Sequence, residues 1–310
     1  MKSPRTGAYI SVILANFFWG LTFVLFKVAN ESFRPITIAF LRLLISIFFL
    51  FGFALLLKRL GRIKRKDQKW FLLMALFEPF FYFLGEANGL TMVSATVGAV
   101  VISTIPLIIP FGAYYLYKEK LTRMNHIGLV ISFTGVLMVV LNKSSGSASD
   151  PLGILLMFVA VLSAVGYTLL VKRLLDDYNP ITITAYQSLY GLLMFLPIFL
   201  FRELPLIDWD AVTTSSLLAL LYLGVFGSGV CFILLTIGIR ELGAARSNIF
   251  ANLIPVVTAT VSFFLLKEAM PLIKIAGILV VIGGLLLTQI GTINWRKPSG
   301  KGGFRHPPYS

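Results

Sequence analysis

The chain has 310 residues, 57% of them hydrophobic and only 13% charged, and its mean hydropathy is +0.89. A soluble domain is about a quarter charged, so this composition excludes one and reads as an all-α integral membrane protein. The formal net charge of +14 would suit nucleic acid, but the basic residues sit in short loops between apolar runs, which excludes that partner and makes the charge a matter of topology.

A hydrocarbon core of roughly 30 Å takes about 20 helical residues to cross. Ten apolar runs are read as spans, at 7–29, 36–57, 69–90, 93–117, 125–141, 152–172, 181–201, 214–238, 245–266 and 273–291. The first is too long for a signal-peptide core and has no small-residue cleavage site after it, so it is expected to stay as a span. With the N-terminus in the cytoplasm, 20 of the 27 basic residues fall on the cytoplasmic face, including the block at 58–69 and the tail at 293–310. The opposite face holds Lys27, Arg34, Lys143, Arg202, Lys267 and Lys274. The expected topology is a multi-pass protein of the cytoplasmic membrane with both termini inside.

Polar residues inside these spans are the candidates for function. Asn16 and Trp19 lie midway along the first span. Arg42 lies roughly 9 Å into the second at 1.5 Å per residue. In the third, Glu78 is roughly 18 Å below the outer boundary and Glu86 roughly 6 Å; with Tyr82 they form an i, i+4, i+8 stripe on one helical face. A stripe with two carboxylates does not face lipid. A lone charge at the bilayer centre costs at least about 3 kcal/mol, so Arg42 and Glu86 are expected to pair. That pair either locks two helices or stands at a cavity mouth. For Glu78 two readings stand, a neutral acid hydrogen-bonded between helices or a carboxyl that contacts substrate or carries a proton. Phe77, Phe80, Phe81 and Phe83 surround the same helix and read as packing or lipid contact.

The fourth span carries Ser103, Thr104 and Pro106, and the ninth Asn248, Asn252 and Pro255. A proline within a helix frees the carbonyl four residues earlier, so Pro106 and Pro255 are expected as kinks, either for packing alone or offering a carbonyl to a ligand. Asn248 and Asn252 share one face and read either as cavity residues or as interhelical glue. Gly128, Gly135, Gly277, Gly283 and Gly284 are expected to permit close helix contact.

The chain repeats internally. An offset of 145 aligns "NESFRPITIAFLR" with "LDDYNPITITAYQ", and an offset of 149 aligns Gly89 with Gly238, Pro106 with Pro255, Glu119 with Glu268, Gly128 with Gly277 and Gly135 with Gly284. Two five-helix halves are expected, 1–143 and 152–292, joined by a linker at 144–151. Because five is odd, the second half enters the membrane from the opposite face, as inverted repeats around a central cavity do. Gln187, Gly227 and Leu235 occupy the places of Arg42, Glu78 and Glu86, so the charges occur in one half only.

"ANFFWGLTFVLFK" at 15–27, the central proline of the fourth and ninth spans, Lys-Glu at 118–119 and 267–268, and "GILVVIGGLLL" at 277–287 resemble the drug/metabolite transporter superfamily, specifically its EamA-type ten-helix carriers. The resemblance implies export of small metabolites, often amino acids or related compounds. No phosphate-binding loop, metal-ligand cluster or activated nucleophile is found, Cys231 is the sole cysteine, and His126 and His306 lie near a helix start and in the tail. The expectation is therefore a secondary carrier driven by gradients, possessing no cofactor, no metal site and no enzymatic activity, and having a small-molecule substrate and the lipid bilayer as partners. A membrane-embedded lipid enzyme would need catalytic groups clustered at one interface. A channel or scaffold subunit would show unsaturable flux or none.

Overall fold

Prolines and small polar side chains mark where helices start. Pro35, Pro151 and Pro180 occupy the first turns of their helices, where a missing N–H leaves nothing unpaired. Ser94, Asp150, Asn179 and Thr213 each accept a backbone N–H from the first turn that follows, satisfying one otherwise open donor. The computed structural model describes residues 4–117, 122–141, 150–243, 247, 250–251 and 253–293, and every regular element among them is helical. In chain order the longer helices are α1 (Pro4–Ala29), α2 (Pro35–Leu56), α3 (Gln68–Ala75), α4 (Tyr82–Met92), α5 (Ala95–Ile102), α6 (Ile105–Tyr117) and α7 (Arg123–Val140). Then come α8 (Pro151–Leu174), α9 (Pro180–Ile198), α10 (Thr214–Tyr222), α11 (Cys231–Leu242), α12 (Leu253–Leu265) and α13 (Leu272–Ile293).

Several of these join end to end. Seven stretches are long and apolar enough to cross a membrane, and three shorter apolar helices, His126–Val140, Leu253–Leu265 and Leu272–Leu287, complete the set among the described residues.

Three spans are interrupted where the sequence reads as continuous helix. Between α3 and α4 the chain widens into a π-type turn at Leu76–Phe81, and Glu78 there has extended backbone angles, φ −143° and ψ 116°. Pro79 lacks the N–H that a regular ladder needs at this point. The strict stripe from Glu78 to Tyr82 and Glu86, and the depths counted along an unbroken helix, are corrected accordingly. A second π-type turn, Leu223–Val230, parts α10 from α11 and includes Gly227, the repeat counterpart of Glu78. The fourth span breaks at Ser103–Thr104, so Pro106 sits in the first turn of α6 and does not kink a continuous helix. Pro255 lies two residues after the described start of α12 at Leu253, and the residue before Leu253 lies outside the described residues. Pro110, in the interior of α6, is the proline of this span that interrupts a helical ladder.

Glycines set the closest helix contacts. Helices α7 and α13 run antiparallel: a Cβ on Gly135 would lie 2.7 Å from the Gly277 carbonyl oxygen, and one on Gly284 would lie 2.5 Å from the Ser132 nitrogen and 2.7 Å from the Gly128 oxygen. Gly283 faces open space, so the packing role expected of it does not apply. Gly85 and Gly153 do the same for α4 against α8, with Cβ positions 2.5 Å from the Leu156 oxygen and the Met92 Cβ.

Charge secures the corner between α4 and α5. The Lys27 ammonium donates to the carbonyls of Leu90 and, at 2.7 Å, Val93, near the C-terminal end of α4. Glu268 accepts from the Ala95 N–H at 2.8 Å and from the Thr96 hydroxyl at 2.6 Å, at the start of α5. The buried Lys274 ammonium lies 3.5 Å from the same carboxylate. A cation at a helix C-terminus and an anion at an N-terminus each complement the helix dipole.

Candidate functional site

The interrupted helices converge on one cavity. From α1 come Asn16, Trp19, Thr22 and Phe23; from α2 and the turn after α3, Arg42 and Glu78; from α4, Tyr82, Phe83 and Glu86. The far wall is Ala164, Tyr167 and Thr168 of α8 with Phe232 and Leu235 of α11, and Ile102, Ile105, Ala251 and Ile254 close the rest. The space open to the centres of water-sized molecules is about 70 Å³, against roughly 10–15 Å³ for a single water. It holds a few waters or a compact solute.

One side of the cavity is a closed network. The Arg42 guanidinium donates from Nη1 to Glu86 Oε2 at 3.3 Å and from Nε to Ser228 Oγ at 2.9 Å, and it stacks over the Phe83 ring at 4.1 Å from the centroid. The Tyr82 hydroxyl donates to Glu86 Oε1 at 2.9 Å. Both oxygens of Glu86 are thus engaged, which is what a buried ion pair requires to offset its desolvation. Neighbouring donors are engaged too: Asn16 Nδ2 with the Val12 carbonyl at 2.8 Å, Trp19 Nε1 with the Gly227 carbonyl at 3.0 Å, and Thr22 Oγ1 with the Trp19 carbonyl at 2.7 Å.

Glu78 is different. Its side chain is buried, faces the cavity, and makes no hydrogen bond or ion pair among the described residues. Tyr167 Oη and Gln187 Oε1 are also buried without a partner in good hydrogen-bond geometry, although the two side chains are neighbours. With Glu78 ionised, the described lining carries two carboxylates against one guanidinium.

The repeat geometry accounts for the one-sided charge. A Cβ on Gly227 would lie 3.0 Å from the Thr22 Cγ2 and 3.1 Å from Arg42 Nη2. Glycine at the counterpart of Glu78 therefore leaves the Arg42 head group in place, where a larger residue would require Thr22 or Arg42 to shift.

Of the residues singled out in the sequence, Asn16, Trp19, Arg42, Glu78, Tyr82 and Glu86 meet in this cavity. Thr104 does not reach it; its hydroxyl donates to the Val101 carbonyl at 2.6 Å, beside the break in the fourth span. Asn248 and Asn252 lie outside the described residues. Pro106 and Pro255 are not among the lining residues but directly follow two of them, Ile105 and Ile254, in the sequence. Sequence reasoning missed Tyr167, Ser228 and Phe232. Only the run "GVFGSG" at 224–229, unusually rich in small residues for a span, signals that regular α-helical hydrogen bonding gives way there to the wider π-type turn.

Comparison with known proteins follows the whole described bundle. The sequence profile described as the EamA-like transporter family matches residues 6–141 and again 151–290. The uncharacterized transporter YetK of Bacillus subtilis (strain 168) is 28% identical over 94% of this chain and 89% of its own length. An uncharacterized transporter of Archaeoglobus fulgidus is 29% identical over 90% of this chain and 97% of its own. A crystal structure with 16% identity superposes with a TM-score of 0.71, covering 91% of this chain and 98% of the other, a likeness of fold.

Proposed function

This chain belongs to the EamA-like transporter family, and from that premise we propose that it is a secondary carrier exporting small metabolites, amino acids or related compounds, across the cytoplasmic membrane by alternating access. Its termini lie in the cytoplasm, a reading supported by the uneven distribution of basic loop residues. The observation that carries the proposal is the buried Glu78 carboxyl, which faces a central cavity without a hydrogen-bond or ion-pair partner among the described residues. An unpaired ionisable group at such depth is costly, and a site that binds and releases substrate or protons gives it a role. The cavity draws on helices of both halves, so movement of one half against the other exposes it to each side in turn.

The test begins with metabolites compared inside and outside cells that overexpress or lack the protein. A compound whose distribution shifts is then examined in proteoliposomes, where a carrier shows saturable counterflow. Flux that never saturates, or none, sinks the carrier reading.

A further inference from the structure

We propose that the cavity recognises a small organic monocation, an ammonium-bearing metabolite without a carboxylate of its own, and that Glu78 is its counter-ion. The proposal rests on the carrier reading and narrows its substrates to amines related to amino acids, setting aside the zwitterionic amino acids themselves.

The argument starts from which groups remain available. Both Glu86 oxygens are engaged by Arg42 and Tyr82, and the Asn16, Trp19 and Thr22 donors are held by backbone carbonyls. Among the described residues, the acceptor left facing the cavity is the carboxyl of Glu78, a residue 6% exposed; the Arg42 guanidinium, which donates to Glu86 and Ser228, already has its counter-charge. A carboxylate accepts hydrogen bonds only, whereas an ammonium has three donors and no acceptor. That open acceptor matches an ammonium.

Charge balance selects the same class. Among the described residues, Glu78 and Glu86 against Arg42 leave one negative charge in the lining. A monocation brings the sum to zero, a zwitterion leaves it unchanged, and an anion doubles it. In a site largely removed from water, uncompensated charge is the dominant cost. Aromatic rings add to this preference: Trp19, Tyr167 and Phe232 line the cavity, and the face of such a ring attracts a cation.

A proton on Glu78 balances the cavity as well as an ammonium does, so the two are alternative occupants. Binding of the cation sends the carboxyl proton to water on the side from which the cation entered. One-for-one exchange then moves no net charge, and flux follows a pH gradient but not a membrane potential.

The full-length protein in detergent is tested with three matched pairs by calorimetry: butylamine against norvaline, 2-phenylethylamine against phenylalanine, and 3-phenylpropylamine against 4-phenylbutanoate. At least one amine is expected to bind 10-fold or more tightly than its carboxylate-bearing partner and to release a proton, seen as a binding enthalpy that changes with the ionisation enthalpy of the buffer. Glu78→Gln is expected to lose that binding. If Glu78→Gln does not fold, Glu78→Asp, which keeps the carboxylate but draws it back, replaces it and is expected to weaken amine affinity severalfold while the proton release persists. The proposal is overturned if no amine binds, if a zwitterion or carboxylate binds as tightly as its amine, or if Glu78→Gln binds amine like the natural protein. Counterflow of some other metabolite alongside any of those results removes the cation class and leaves the carrier standing. Absence of counterflow with amine binding intact removes the carrier.

Discussion

Arg42 of α2 and Glu86 of α4 meet at 3.3 Å, both buried, and each is held by another neighbour, Ser228 for the guanidinium and Tyr82 for the carboxylate. Removing one partner strands the other. Arg42→Met or Glu86→Leu alone is expected to lower stability by about 3–5 kcal/mol and to reduce the yield of monodisperse protein. The double variant is expected to recover a substantial part of the loss. Thermal unfolding of all four proteins in one detergent checks this, and strictly additive losses would mean that the contact contributes nothing.

The α4 to α5 corner supplies a second prediction. Glu268→Ala leaves the Ala95 N–H and the Thr96 hydroxyl without their acceptor and Lys274 without its counter-charge. Loss of such acceptors costs on the order of 1–3 kcal/mol. Glu268→Gln keeps one accepting oxygen and is expected to lie between the natural protein and Glu268→Ala in melting temperature. Equal melting of all three proteins is the contrary outcome.

Neighbouring glycines separate sharply. Gly284→Ala places a methyl group 2.5 Å from the Ser132 nitrogen, whereas Gly283→Ala meets nothing within 4 Å. The first is expected to destabilise by forcing α7 and α13 apart. The second is expected to be neutral or stabilising by up to about 1 kcal/mol, since alanine is the better helix former. Indistinguishable unfolding curves would mean that this contact does not hold the helices.

At the end of α8 the Tyr178 hydroxyl donates to Asp67 Oδ2 at 2.7 Å, and the Lys64 ammonium lies 3.1 Å from Asp177. Burial and then the bond to Asp67 push the Tyr178 phenol above its ordinary value, and the hydrogen bond to Asp177 raises Lys64. Both groups hold their protons more tightly when folded. Their stabilising contribution is therefore complete below the unfolded values near pH 10 and is lost as pH rises through the folded values. Tyr178→Phe is expected to cost about 1 kcal/mol at neutral pH and to flatten the decline on the alkaline side. A decline as steep as that of the natural protein would contradict the assignment to Tyr178.

What the sequence made legible follows the strength of each physical signal. Apolar runs of span length leave little choice but membrane helices, and the 149-residue offset between Gly128, Gly135 and Gly277, Gly284 already related the two halves. Arg42, Glu78 and Glu86 stand out because charge inside a span is expensive. The breaks in the third, fourth and eighth spans were harder to see. Pro79 and the glycines at 224, 227 and 229 permit interruption, but neither proline nor glycine forces one in a helix surrounded by others. Tyr167 and Phe232 carry no charge and look like ordinary packing until the cavity is seen. Lys27 and Glu268 are far apart in sequence, and only the folded corner brings them to one place.

The glycine contact between α7 and α13 has a consequence for how such a chain came to exist. Gly135 meets Gly277, the counterpart of Gly128, and Gly284, the counterpart of Gly135, meets Gly128. Each position touches the equivalent of its own partner, the reciprocal pattern of a twofold interface between identical subunits. Two separate polypeptides, one for each stretch that matches the family profile, would already possess in this contact a surface through which to assemble, and a covalent link between them adds a tether. A chain severed within 144–150 and co-expressed as two fragments is therefore expected to reconstitute the bundle.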